Sequence, residues 1–460
     1  MLEQGRSTLA ADDEGRILDR LAGLEKVISP ELIRQVLMAS GRVNGRACEL
    51  THEVMVWVVL AMGLFTDMPI RLVFCHARRM RIDGKIPARS SLCVARQRLG
   101  VEPLQALHKT VVRLLATPDT PGAFYRGWRL MAIDSVVLDV PDSAANAGFG
   151  RPSGGRGHGA FPQVRKASLV ELGTHVEVAF ASGGCHEDER ALARRLWDEI
   201  PDDALLLEDR GFLGYQDWKA LHLRCKLLVR VKSDFAFKPI RRLSDGSYLA
   251  KFYPSADARR IDRHGILVRI IEYTIDDPQR TGHRETHRLI TNLVDEAEAP
   301  ALELIALYHE RWEIELVYDE QKTHQDPRRA EKPTHLRSET PDGVRQELYA
   351  LSLVHFVIRS LMFEAARPLE LDVDRFSFVN CFHVLQCRLP ECDSRTPQSL
   401  AAWYAALVQE MRSHSIGPRR NRINPRVIKR KMSKWPRKRP HHCQPPPLPK
   451  TFEQAIVMQT

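Results

Sequence analysis

Residues 129–140 read Arg-Leu-Met-Ala-Ile-Asp-Ser-Val-Val-Leu-Asp-Val, and this stretch decides the fold. It is apolar and β-branched, so it reads as a strand. Asp134 interrupts it, and a charge inside such a strand is costly unless it is paired or holds a metal. Upstream, residues 1–122 read as helical. Asp13 to Val27 and Pro30 to Met38 show helix-like apolar spacing, and Thr51 to Phe65 is apolar nearly all round, like a buried helix. The run SSLCVARQRLG begins at Ser90, a residue suited to capping a helix, and carries Arg96 and Arg98. It suits the second helix of a DNA-reading pair and, equally, a surface helix whose arginines meet the dipole at its C-terminus. Residues 116–122 read as a linker.

Downstream, the chain turns near Pro141 and runs Gly-rich to Gly159. That loop lacks a Gly-Lys-Ser/Thr ending and opens no helix. It reads as a hairpin tip, with Arg151 and Arg156 placed to reach a DNA backbone. ASLVELG and THVEVAFASG supply a second and a third strand. A helix follows from Glu187, then a short buried strand, Ala204 to Leu207, ending in Glu208 and Asp209. A helix around Trp218 to Leu223 and a strand over residues 226–232 complete the series. Three strands followed by alternating helix and strand predict an α/β domain with a mixed sheet. Residues 233–297 break the alternation with three further strand-like stretches and read as a β-rich insertion. Glu303 to Thr323 reads as one long helix, and more helix is expected over residues 342–366 and around 400–414.

The bulk numbers exclude several classes. A chain of 460 residues suffices for two to four domains, and 43% hydrophobic with 27% charged residues is ordinary for a globular protein. The longest apolar run, residues 54–65, is too short to span a bilayer, and the opening residues show no secretion pattern. The expectation is a cytoplasmic protein with no membrane partner. Nine cysteines, an odd number with no CxxC pair, argue against a disulfide framework or a zinc site. The net charge of +10 is concentrated at one end. Residues 412–450 hold 13 Lys and Arg and no acid, which leaves 55 basic against 58 acidic residues elsewhere. This run, with Trp435 inside it, reads as a phosphate-binding arm.

The chemistry is in the long helix. Tyr308, Arg311, Glu315 and Lys322 recur so that, at about 100° per residue, all four fall within roughly 60° on one face. A carboxylate flanked by two cations and a phenol can hold a divalent metal while the cations grip phosphate oxygens. Asp134, and Asp209 at the end of its short strand, could join Glu315 around two such ions. Asp139 and Asp142 compete with Asp134 for this role, and Glu208 competes with Asp209.

These residues resemble a known signature. The spacing of Tyr308, Arg311, Glu315 and Lys322 is that of the Tyr-Arg-Glu-Lys signature of bacterial DDE transposases of the insertion sequence 4 family. Asp209-Arg210-Gly211-Phe212 is similar to the segment carrying that family's second Asp, and Asp134 matches the first Asp on the opening strand of a ribonuclease-H-like core. Ser135 departs from the glycine common at that position. The resemblance implies an α/β fold: a ribonuclease-H-like catalytic core (residues 123–232 and 298–390) with a β-rich insertion (233–297), preceded by a helical DNA-binding N-terminal domain (1–122) and followed by a helical segment with a basic tail (391–460). It implies cut-and-paste transposition, with Asp134, Asp209 and Glu315 as catalytic metal ligands for two Mg²⁺ ions, Mn²⁺ being the expected substitute. Tyr308, Arg311, Lys322 and Arg210 would contact DNA. The partners implied are double-stranded DNA, at element ends and target, and a second copy of the chain in the DNA complex. In some relatives an insertion-domain Trp stacks near a flipped base. Residues 233–297 contain no Trp, and that role is assigned to none of Phe235, Phe237 and Tyr253.

Overall fold

The computed structural model describes residues 18–44, 48–78, 85–154, 157–232, 235–278, 283–326, 333–392, 396–417 and 450–459. The start of the helix expected from Asp13, the reading of Arg156, and most of the basic run with Trp435 lie outside these residues. The chain forms two units. The first comprises Met1–Phe124, Ile133–Ile200 and Glu313–Ile416; the second comprises Tyr125–Ala132, Pro201–Trp312 and Gly417–Thr460.

The first unit is organised on the 26-residue helix Pro341–Ala366, which Thr340 starts by accepting a bond from the Gly343 amide. By length and composition this helix could cross a membrane, yet 83% of its apolar window is buried in the protein. It is buried because His52–Leu64, Glu102–Val111, Phe378–Arg388 and Pro397–Arg412 pack against it. His52–Leu64 is apolar on every side, as its sequence predicts. Gly63 sets the closeness of that crossing: a Cβ there would lie 2.7 Å from the Ala350 carbonyl oxygen, so any side chain would push the two helices apart.

The helix Arg89–Leu99 begins ahead of the expected serine cap. Ala88 occupies the N-cap without a side-chain bond, and Ser90 and Ser91 are already helical, a conformation from which a side chain does not cap. Arg96 turns inward. Its Nε donates to Gln346 Oε1 at 2.7 Å, and a terminal nitrogen donates to the Gly343 carbonyl at 2.6 Å. It fastens this helix to the start of Pro341–Ala366, while Arg98 stays exposed.

The β-structure of this unit is the hairpin Gln163–Glu171 with Val176–Gly184, whose register shifts between Leu169 and Val170. Gln163–Glu171 also flanks residues 133–139 of the opening strand. His175, in the hairpin turn, adopts a left-handed φ of 58°. The Gly-rich loop forms the expected tip, pairing Ser153–Gly154 with Gly157–His158. Arg151 is spent inside it, bound to Asp142 and to the carbonyls of Gly159 and Ala160.

In the second unit Ala204–Glu208 runs parallel to Lys226–Arg230, joined by the helix Tyr215–Leu221. Residues 128–132 flank Ala204–Glu208, with the Arg129 amide donating to the Asp203 carbonyl at 2.8 Å. From Lys226–Arg230 the sheet continues antiparallel through His287–Thr291, Ile266–Ile275, Tyr248–Phe252 and Arg241–Arg242. The strands within 233–297 therefore extend the sheet edge. Ile456–Met458, a strand the sequence reading lacks, pairs with Tyr273–Ile275.

The expected single helix over 303–323 is four pieces. Ala301–Tyr308 is α-helical, His309–Trp312 is a 3₁₀ turn, Glu313–Asp319 is α-helical and Glu320–Gln325 is a π-helix. No Pro or Gly lies in this segment to break it. The π-turn coincides instead with three polar residues drawn inward: Glu320, Gln321 and Gln325 are all buried. A steady 100° per residue does not hold across these changes of pitch, so the four signature positions do not form a regular α-helical stripe.

Candidate active site

Two of the three candidate carboxylates lie in the first unit. Asp134 is half-buried on the opening strand, and the Ser135 amide donates to its Oδ1 at 2.7 Å. The Ser135 hydroxyl donates to Glu189 Oε2 at 2.9 Å, and Arg165 reaches the same hydroxyl at 3.3 Å and the same carboxylate at 3.7 Å. The departure at Ser135 thus ties a charged pair beside Asp134. No signal in the sequence singled out Arg165 or Glu189; only the serine itself was visible.

Glu315 belongs to Glu313–Asp319 and is half-buried. One turn further on, Tyr318 donates its hydroxyl to the Asp134 backbone carbonyl at 2.6 Å. Burial, with the Asp134 charge adding to it, pushes the Tyr318 phenol well above its ordinary value, so it remains a donor. Residues three apart share a helix face, so Glu315 lies on the face that meets the strand of Asp134. Lys322, on the π-helix, is half-buried; burial lowers its pKa and Asp319 partly restores it. The competitors of Asp134 are engaged elsewhere. Asp139 accepts from Gln163 at 2.8 Å and stands near His335, and Asp142 pairs with Arg151.

The third carboxylate lies in the second unit. Asp209 follows Ala204–Glu208 and opens a turn closed by the Phe212 amide, which donates to its carbonyl at 3.0 Å. Successive strand residues point to opposite faces, so Glu208 and Asp209 have different surroundings. Glu208 is buried; burial, with Asp217 adding to it, raises its pKa to about 8, which leaves it mostly neutral at pH 7. Asp209 is half-buried. Tyr308 is buried and donates its hydroxyl to the Glu208 carbonyl at 3.2 Å. Arg311 is 5% exposed, with its guanidinium 5.2 Å from the centre of the Trp312 ring. Arg210 is exposed.

A different acidic group attracts attention in the first unit. His175, Glu313 and Asp374 bring possible ligand atoms within 4.8 Å of one another. Their occupants are already present. His175 Nε2 lies 2.8 Å from Glu313 and 3.2 Å from Asp374, and its Nδ1 lies 3.3 Å from Glu320. Burial and Arg359 push the imidazole down, but Asp374 and Glu320 outweigh them and hold it up at about 10. A doubly protonated ring has no lone pair to give a metal. The chemistry here is that of an ion-pair nest. By contrast, Asp134, Asp209 and Glu315 are half-buried carboxylates, the oxygen donors that suit a hard divalent cation.

Comparisons with known proteins identify the family. Residues 18–109 match the family described as Insertion element 4 transposase N-terminal, and residues 126–357, just over half the chain, match the Transposase DDE domain. The transposase InsG for insertion sequence element IS4 of Escherichia coli (strain K12) is 29% identical over 430 residues, covering 90% of this chain and 93% of that protein. InsZ of the same strain is 26% identical over 194 residues, covering 40% of this chain and 61% of that protein. Among solved structures, the piggyBac transposase synaptic complex with hairpin DNA covers 85% of each chain at 9% identity, with a TM-score of 0.44. The expected α/β architecture, a ribonuclease-H-like core with a mixed sheet behind N-terminal helices, is the one observed. The chain belongs to the insertion sequence 4 family of DDE transposases, enzymes that act on DNA with the help of divalent metal ions.

Proposed function

We propose that Asp134, Asp209 and Glu315 are the catalytic carboxylates of cut-and-paste transposition and that they hold two Mg²⁺ ions, for which Mn²⁺ substitutes. The observation that carries this reading is the hydrogen bond from Tyr318 to the Asp134 carbonyl, because it seats the helix of Glu315 on the strand of Asp134. Bound ions would acidify an attacking hydroxyl and stabilise a leaving oxygen. Water attacks the phosphodiester at the element's end; the bond from phosphorus to the 3′ oxygen breaks and a 3′-hydroxyl is released. That hydroxyl then attacks the other strand, displacing a 3′ oxygen and closing the end; a second water cleaves the new bond between phosphorus and the 3′ oxygen, and the regenerated 3′-hydroxyl attacks target DNA, again displacing a 3′ oxygen.

Arg210 and Lys322 are the accessible cations for DNA phosphate in this reading, and Tyr308 and Arg311 act beside them from below the surface. The partners are double-stranded element ends and target, held by a homodimer in the DNA complex, in the bacterial cytoplasm at the nucleoid. The assignment of functions along the chain is DNA binding by residues 1–122, catalysis by 123–232 with 298–390, an insertion at 233–297 and a basic tail within 391–460. The test is incubation of the full chain with end-bearing duplex and Mg²⁺. Cleaved ends and joined products are expected; binding without cleavage under Mg²⁺ or Mn²⁺ overturns the reading.

A further inference from the structure

In the first unit the turn that carries Lys322 is gripped from inside. Glu320 is 5% exposed. Arg359 Nε donates to its Oε2 at 3.0 Å, His355 Nε2 lies 2.9 Å from the same oxygen, and Oε1 meets His175 Nδ1 at 3.3 Å and a terminal nitrogen of Arg359. Gln321, the next residue, bridges Lys166 Nζ at 2.8 Å and Glu177 Oε2 at 3.1 Å. Gln325 donates to the carbonyls of Gly63 at 3.2 Å and Leu351 at 3.0 Å. Half of the six-residue π-helix is therefore anchored through buried polar side chains. Most of the anchors stand on two stiff elements, the helix Pro341–Ala366 and the hairpin Gln163–Glu171 with Val176–Gly184.

Apolar residues of the same volume would hold such an interior together at least as well. A buried polar network adds a fixed orientation, because each donor tolerates only a narrow range of acceptor positions. The residues oriented here are the carboxylate one α-helical segment before Glu320 and the lysine two positions after it. Both oxygens of Glu320 are engaged and the side chain is buried, so it has no means of touching DNA or a metal itself.

We infer that Glu320, clamped by Arg359, His355 and His175, is a positioning residue for transposition: it fixes the rotation of Glu313–Asp319 and the following π-turn, and so aims Glu315 and Lys322. The inference rests on the reading of Glu315 as a metal ligand.

The experiment uses the full chain, a duplex bearing the element's end, and a Mg²⁺ titration. Glu320→Gln keeps the shape and removes the charge. It should leave DNA-end binding within about twofold, lower the cleavage rate at saturating Mg²⁺ by about 100-fold, and raise the Mg²⁺ midpoint for cleavage. Ile290→Val, at a fully buried position in the strand His287–Thr291, serves as a destabilised control and should keep both the rate and the midpoint within about threefold. If Glu320→Gln fails to fold, His355→Asn removes a single partner and must show the same pattern at smaller amplitude. An unchanged Mg²⁺ midpoint in the folded variant, or an equal loss in Ile290→Val, overturns the positioning role. Glu315→Gln, run alongside, separates the two claims: intact cleavage there removes the reading of Glu315 itself, whereas its loss leaves only the role of Glu320 in question.

Discussion

Asp134 and Glu315 stand over a buried interior of paired charges, whereas Asp209 stands at the end of a strand whose neighbouring acid is buried and neutral. In the first unit Lys166 and Glu177 are each 1% exposed in their side chains and 2.7 Å apart, and Ser168, Ser352 and Gln321 complete the coordination of Glu177. In the second unit Glu208 keeps its proton, and the tie is a phenol on a backbone carbonyl, from Tyr308. Both regions use a phenol on a backbone carbonyl, Tyr318 on Asp134 and Tyr308 on Glu208, and the first adds the buried pair of Lys166 and Glu177. Substitutions that look identical on paper should therefore behave differently in the two places.

The largest expected effect ignores the contrast. Asp134→Asn, Asp209→Asn and Glu315→Gln should each lower strand cleavage by about 10³-fold or more while sparing DNA binding, read on labelled end-bearing duplex. If one variant keeps full cleavage, that residue is no ligand. Next, Glu177→Gln leaves Lys166 buried without its countercharge and should cost about 3–5 kcal/mol in denaturant unfolding. Glu208→Gln removes the need to protonate a carboxylate on folding and should stabilise the protein at pH 7, with little change below the ordinary carboxylate value. Equal costs at the two positions would erase the contrast.

The pH dependence should divide the same way. Burial lowers His108 to about 4, against the opposing charge of Glu177. Its contribution is full above an unfolded value of about 6.5 and is lost as pH falls through 4, a change on the order of 3 kcal/mol. Burial raises Glu208 to about 8. Its contribution is full below the ordinary carboxylate value and is lost as pH rises through 8. Melting curves in EDTA should lose their acid slope in His108→Gln and their slope toward pH 8 in Glu208→Gln. The smallest effect is Tyr308→Phe, about 1 kcal/mol from one hydrogen bond, measured by denaturant midpoint; a null result would leave packing alone to hold the Asp209 turn.

Legibility followed the range of the cause. The opening strand, the buried helix His52–Leu64 and the hairpin after residue 163 were readable because their patterns are local: β-branched runs, apolar residues on every side, turn residues between strands. The signature spacing was readable for the same reason. The breaks at 309–312 and 320–325 were not, because no residue within the segment announces them; the partners of Glu320 and Gln321 are Arg359, His355 and Lys166, distant in sequence. The helix Phe378–Arg388 was also missed, its start resting on a single Ser377 cap. Arg96 read as an exposed side chain, facing DNA or meeting the dipole of a surface helix, because exposure cannot be told from one helix alone; its acceptors are on residues 343 and 346.

The short strand Ile456–Met458 has a practical consequence for anyone handling this protein. It covers the border of Ile266–Ile275, and Lys450 pairs with Asp276 at 2.9 Å just ahead of it. Clipping the C-terminus, or stiffening it with a bulky fusion, would bare a hydrophobic rim carrying Tyr273 and Ile275, a surface that invites clumping between molecules. The electrostatic contribution of the basic run is therefore better measured by neutralising its lysines and arginines in place than by deletion, and purification handles belong at the other end.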